Sequence, residues 1–299
     1  GTGFVALINS DGEIETHIRL PAPATHVTWS PDGRWFVPAL DGEPTRIWKR
    51  VGTRLGDLGP GVYDFISWQP ASIEIMGRVG DYIATASGKE RFAFTVTDRG
   101  EGIDPMMLDS TTEVTSLAWN PTGNLFITGT VDGVVSACNG VGSSDVAPHT
   151  APVELLAWSP DGVLLATACG TESEDTNVRF WTLQDDALSD TGIVLTGTAP
   201  VTAIAWSRDS QHLLVTRADN SLAIYSTAGE LISSQTLYGV MAHDAAWDPQ
   251  HDRFAIGTTS GAVEIMRPDG TVEFTFWGHT GRVTDIEWRP NGDRLTAIA

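Results

Sequence analysis

The sequence predicts an all-β fold, a seven-bladed β-propeller of four-stranded antiparallel blades. Three observations predict it. Seven tryptophans occupy one repeat position: Trp29, Trp68, Trp119, Trp158, Trp206, Trp247 and Trp288. Their spacings of 39, 51, 39, 48, 41 and 41 residues hold a period near 40 with room for about four short strands. The two chain ends complete one another. Placed end to end, RLTAIA–GTGFVALINSDGEIE matches residues 253–273, RFAIGTTSGAVEIMRPDGTVE, without a gap. Strands 282–288 and 293–299 would then share one blade with strands 3–9 and 14–20, closing the ring and removing two exposed sheet edges.

The unit is clearest from His149 to Trp181. Strand a (153–158) ends on Trp158. Ser159-Pro160-Asp161-Gly162 makes the turn: Pro160 pre-sets φ, Asp161 can bond its own backbone, and Gly162 can take φ > 0. Strand b (163–169) and strand c (177–182) follow, with a d strand near 192–198. A large aromatic ending strand a in each repeat is read as filler between neighbouring blades. Blade one is the composite of residues 1–20 and 280–299, and blades two to seven start from Trp29 to Trp247. The third, from Trp68, is the longest. Its b, c and d strands are expected near 72–78, 81–87 and 91–97, followed by a loop at 98–112 carrying Met106, Met107 and Leu108. Blade four has an Asp132-Gly133 hairpin. No linker or low-complexity run interrupts residues 1–299, so one domain is expected.

These residues resemble the WD-repeat (WD40) propeller family. A blade of that family can join a His before strand a, a Ser or Thr in strand b, an Asp in the b–c turn and a Trp in strand c. The resemblance implies such a network for His149, Thr167, Asp175 and Trp181, with an insertion around Glu172-Ser173-Glu174. Elsewhere the match is partial. Gly278-His279 and Arg46-Ile47-Trp48 fit, Tyr225 stands in the Trp position, and Ser260 and Met266 replace Asp and Trp in another blade. The chain reads as a divergent, bacterial member.

Composition narrows the function. Apolar residues make up 41% of 299, with 31 Gly and 16 Pro, as many strands and turns require. The net charge of −20 repels phosphate, so nucleic acid and anionic membranes are not expected partners. Basic residues are mostly Arg; Lys occurs only at 49 and 89. Cys138 and Cys169 lie in predicted strands of different blades and read as small buried residues. The sequence begins with Gly rather than Met, shows no signal-peptide pattern, and is expected to be cytoplasmic and monomeric.

Chemistry is sparse. The seven His form no HExxH or Cys/His spacing, and no G-x-S-x-G elbow or phosphate loop opens a helix. The Ser-Pro-Asp-Gly turns miss the sialidase Asp-box spacing. The acidic loop at Glu172, Glu174 and Asp175 lacks the alternating ligands of a calcium loop and reads as solvated. No metal, cofactor or catalytic residue is expected. The chosen function is a non-enzymatic scaffold that binds a protein or peptide. The alternatives are a hydrolase or lactonase-like propeller with a central-channel site, and a periplasmic propeller of the TolB type. In the resembled family, partner contacts concentrate four and six residues before the anchor Trp. The four-before set contains Asp64, Glu154 and His243 among Thr25, Thr115, Thr202 and Thr284. The six-before set adds Glu113, Met241 and Arg282. Asp64, Glu113 and Glu154 come from three consecutive blades and are expected to form one negative arc, favouring a basic or amphipathic peptide.

Overall fold

The computed structural model describes residues 4–9, 14–40, 42–44, 46–49, 54–57, 65–68, 73–75, 78–80, 82–96, 102–110, 112–139, 143–237 and 240–299. Among these residues there is no helix, and no element is long and apolar enough to cross a membrane as one.

The described strands form seven four-stranded antiparallel sheets and one separate two-stranded sheet. Six of the four-stranded sheets each come from one stretch of chain, and the remaining one joins the two ends. In that composite blade, Phe4–Asn9 pairs antiparallel with Arg294–Ile298, from Val5 opposite Ile298 to Asn9 opposite Arg294. Asp285–Trp288 and Ile14–Arg19 complete it on the inner and outer sides. Each inner strand lies against the inner strand of the next blade, around the full circle.

The anchor tryptophans explain the period. All seven are buried. Trp119, Trp206 and Trp288 each donate their indole N–H to a backbone carbonyl of the preceding blade, on Ser67, Ala157 and Ala246, at 2.9, 3.0 and 3.1 Å. Trp29 donates instead to Thr296 Oγ1 at 2.7 Å, across to the composite blade. Within a blade, Trp29, Trp119 and Trp247 sit against Phe36, Phe126 and Phe254 of the second strand, with ring centroids 5.3–5.4 Å apart. The Trp68 and Trp158 indole nitrogens are buried without a hydrogen-bond partner, so what recurs in every repeat is the buried ring rather than its N–H bond.

The turns are locally encoded as well. Ser159 Oγ donates to Asp161 Oδ1 and accepts the N–H of Leu164, while Gly162 takes φ of 72°. Ser30 and Ser207 repeat the pattern with Asp32 and Asp209.

Two strand assignments are corrected. In blade three, 72–78 is not the second strand. Ile73–Ile75 and Arg78–Gly80 form the separate two-stranded sheet. Tyr82–Ser87 is the second strand, Glu90–Val96 the third and Gly102–Asp109 the fourth. The extra length of the 51-residue repeat is this inserted hairpin. Met106, Met107 and Leu108 thus belong to the outer strand, not to a loop. In blade five the outer strand is Ala187–Leu195, earlier than 192–198. Asp185 and Asp186 both adopt positive φ, 50° and 62°, and make the tight hairpin that starts it.

Candidate functional site

Two places concentrate polar groups: the network of blade five and the central channel.

In blade five, the Trp181 indole N–H donates to Thr167 Oγ1 at 3.0 Å. The Thr167 hydroxyl and His149 Nε2 lie 2.9 Å apart, and His149 Nδ1 and Asp175 Oδ2 3.0 Å apart. One proton arrangement satisfies all of it. Thr167 donates to Nε2, and Nδ1–H donates to the carboxylate, so the imidazole is neutral. Burial favours that form and holds His149 below the usual histidine value. Asp175 is held below the usual carboxylate value. Hydrogen bonds from the Asn177 N–H and from His149 outweigh the burial that opposes them.

Cys169 lies close enough to His149 and Asp175 to suggest a metal triad. The donor chemistry argues against one. Both imidazole nitrogens are committed, Asp175 Oδ1 also accepts from Asn177 Nδ2 at 2.9 Å, and burial pushes the Cys169 thiol up to about 11. A protonated thiol is a poor ligand. The site is a closed structural network.

The channel is a cavity of about 530 Å³ lined from all seven inner strands. Of the residues four and six before the anchors, Glu154 and His243 line it together with Thr115, Thr202 and Thr284. Glu154 is raised from the usual carboxylate value by burial and by the neighbouring Glu172. Gly170 lies beneath it, where any Cβ would strike the Glu154 carboxylate. His243 is lowered by burial and by Arg282, and its Nδ1 has no hydrogen-bond partner. Glu113 and Arg282 are exposed and Met241 half-buried, all just ahead of their inner strands. Asp64 lies outside the described residues, so the arc it was expected to share with Glu113 and Glu154 is described only for those two. The Thr115 and Thr202 hydroxyls in this wall are committed to the fold, to the Val153 carbonyl and to Thr216 Oγ1, both at 2.6 Å.

The sequence reading missed the acids three and one residues before the anchor. Asp244 Oδ2 accepts the N–H of Ile286 in the next blade at 2.7 Å. Asp285 Oδ2 accepts that of Val27 at 2.5 Å, one blade further on, and its Oδ1 lies 3.9 Å from His26 Nδ1. Glu287 accepts the N–H of Trp29, while its Oε2 is sealed from solvent without a partner. An inner strand is a sheet edge, and these acids cap edge donors that no strand covers. Burial, then the charge of Asp285, raises both Asp244 and Glu287 well above the usual carboxylate range. The signal was present. In AHDAAW and VTDIEW, acids stand where the other blades carry Ala, Ser, Thr, Leu, Phe or His.

Stability should record these groups with opposite signs. His149 is depressed, so its contribution is present above its unfolded value of 6.5 and lost as pH falls. Asp244 and Glu287 are raised, so the folded chain binds protons first. Their contribution is complete below the unfolded values of 3.8 and 4.5 and is lost as pH rises through the folded ones. Removing both acids by Asp244→Asn and Glu287→Gln leaves His149 in both chains. The Tm of the parent minus that of the double variant should therefore increase as pH falls from neutral toward 4.5. Parallel Tm curves across that range would contradict the assignment.

A closed ring of blades joined by anchor tryptophans, with a His–Thr–Asp–Trp network in one of them, defines the WD-repeat class of propellers. Comparison with known proteins agrees. A family model for the WD domain, G-beta repeat matches residues 270–297. A second model, described as eukaryotic translation initiation factor eIF2A, matches residues 68–240, more than half the chain, and the chain belongs to that family. Among curated relatives, it is 27% identical over 245 residues to the F-box-like/WD repeat-containing protein TBL1X of Homo sapiens, covering 70% of this chain and 40% of that protein. It is 28% identical over 223 residues to cell division cycle 20.1, cofactor of APC complex, of Arabidopsis thaliana, covering 70% and 46%. It is 30% identical over 144 residues to WD repeat-containing protein 1-B of Xenopus laevis, covering 46% and 24%. The chain thus spans less than half the length of these relatives.

Proposed function

We propose that this chain is a non-enzymatic scaffold that binds a protein or peptide on the face where the inner strands begin. The observation that carries the reading is the channel and its charge. Seven inner strands surround one cavity, and among the described residues its wall carries Glu154, Asp244 and Asp285 but no Lys or Arg. A rigid ring with its loops gathered at one mouth is suited to presenting side chains to a partner. The relatives' names support this, since one is described as a cofactor of a complex and another as F-box-like. Glu113 and Glu154 at the mouth, on a chain at −20, favour a basic or amphipathic partner and weaker binding at higher salt. Met241 beside His243 adds one adaptable apolar spot. The family description names translation initiation. With this charge, a place in such machinery would be reached through a protein rather than through RNA phosphates. We place the chain in the cytoplasm as a monomer.

The test is a triple variant, Asp64→Ala, Glu113→Ala and Glu154→Ala, beside a control with three acids removed from the opposite face. A partner captured by the parent should bind the triple variant about tenfold or more weakly, as loss of charged contacts gives, and the control as tightly as the parent. Equal binding by both would move the site away from this face.

A further inference from the structure

Two neighbouring blades share a contact that the blade before them lacks. In blade seven and in the composite blade, the residue six after the anchor tryptophan is an arginine, Arg253 and Arg294. Each pairs with a glutamate of the outer strand, Glu273 and Glu15, at a β-bulge between the third and fourth strands. Arg253, held in this way, lies over the indole of Trp288 in the next blade, 5.3 Å from the ring centroid. Blade six keeps the bulge and changes both residues. His212 stands for the arginine and Ile232 for the glutamate. A groove of about 540 Å³ opens there, lined by His212, Ile232, Pro268 and Trp247, the anchor of the next blade. Ile232 is 55% exposed, and among the described residues no guanidinium lies over Trp247. Three exposed aspartates from three different turns, Asp209, Asp252 and Asp269, also line the groove. Against them stands one guanidinium, that of Arg208, which donates to the Gln250 carbonyl at 2.7 Å.

We propose that this groove receives an arginine side chain of a partner protein, its guanidinium set over Trp247 as Arg253 is set over Trp288. A planar cation stacks on an indole face, and its methylenes can lie along Ile232 and Pro268. The aspartates supply opposite charge and acceptors for a fork of five donors. An ammonium is a compact, strongly hydrated point charge and uses neither the ring nor the fork as well. Leu231, 57% exposed beside Ile232, offers contact to an apolar neighbour of that arginine. The groove lies where the inner strands finish, opposite the channel mouth, and shares no residue with the channel wall. It therefore does not depend on binding at the mouth.

Fluorescence polarisation of the full chain with a labelled peptide, Ala-Leu-Arg-Leu-Ala, tests this. The same peptide with lysine or with uncharged citrulline in place of arginine serves as comparison. Saturable binding of the arginine peptide is expected, with the citrulline peptide about tenfold or more weaker, the ratio for losing a charge-assisted hydrogen bond, and the lysine peptide between them. The double variant His212→Arg, Ile232→Glu rebuilds the ion pair of blade seven. It should melt at or above the parent temperature and bind the arginine peptide at least tenfold more weakly, because its own guanidinium fills the place. If it fails to fold, Asp252→Asn with Asp269→Asn, both at exposed turns, should weaken binding in the same direction. The proposal is overturned if the arginine peptide does not saturate, if citrulline binds equally well, or if the folded variants bind as the parent does. Sedimentation showing parental dimers that the double variant abolishes would give the groove to a second copy and overturn it as well. The variant of the channel mouth, Asp64→Ala, Glu113→Ala and Glu154→Ala, should bind the peptide as the parent does. Loss there, with binding kept in the groove variants, would place the peptide at the mouth, so the two readings fall separately.

Discussion

Removing residues 1–20 is expected to abolish cooperative folding. Phe4–Asn9 is an interior strand of its sheet, lying between Ile14–Arg19 and Arg294–Ile298. Val5, Ala6, Leu7 and Ile8 are at most 1% exposed. They alternate between two cores. Val5 and Leu7 pack with Trp29 and Phe36 of blade two, and Ala6 and Ile8 with the core that joins blade seven to Trp288. Burying a Val, Leu or Ile side chain contributes about 1.5–3 kcal/mol, so losing three forfeits roughly 5–9 kcal/mol. A folded domain has only about 5–15 kcal/mol in total. The deletion also strips the outer edge of Arg294–Ile298, which would then be free to pair with other chains. Light scattering should rise, and the melting transition should broaden or vanish. A truncated chain that melts like the parent would mean the ring does not depend on this strand.

The second large effect is expected at Trp181. Its side chain is 4% exposed and belongs to the core that joins blades four and five. Trp181→Ala should cost about 3–5 kcal/mol, as large core truncations do. Asp175→Ala should cost less, about 1.5–3 kcal/mol, because it removes a charge-assisted bond to His149 rather than volume. Trp181→Phe separates packing from hydrogen bonding. It keeps most of the volume and leaves Thr167 without the indole N–H, at about 0.5–1.5 kcal/mol. Urea unfolding of the three variants provides the ranking. Binding at the channel mouth should survive in all that fold, since the network contributes no residue to the channel wall. Parental stability in both alanine variants would show that the geometry carries no energy.

Much of this was legible in the chain because it is written locally and repeats. A buried Trp at each strand end, a Ser-x-Asp turn with self-contained hydrogen bonds, and alternating apolar residues all act within about ten positions. They recur because each blade solves the same packing problem. The His149–Trp181 network could be read for the same reason, as four residue types at family spacing in one blade. Blade three and the outer strand of blade five were misread where two local solutions compete. Residues 73–80 are as strand-like as 82–87, and only pairing with Phe65–Trp68 decides which joins the blade. The Asp185-Asp186 turn depends on positive φ at two non-glycine residues, which sequence signals weakly.

The acids at the seam between blade seven, the composite blade and blade two belong wholly to tertiary structure. Asp244, Asp285 and Glu287 lie in two repeats about 40 residues apart and look like scattered charges along the chain. Ring closure sets the blade seven strand beside the composite blade, and that blade beside the strand of Trp29. Only then do the carboxyls share a seam, meet uncovered edge N–H groups and lose water together. Sequence determined the repeat, its turns and the closure of the ends. What those ends enclose was decided by packing, because burial and charge proximity are properties of neighbours the chain brings together only when folded.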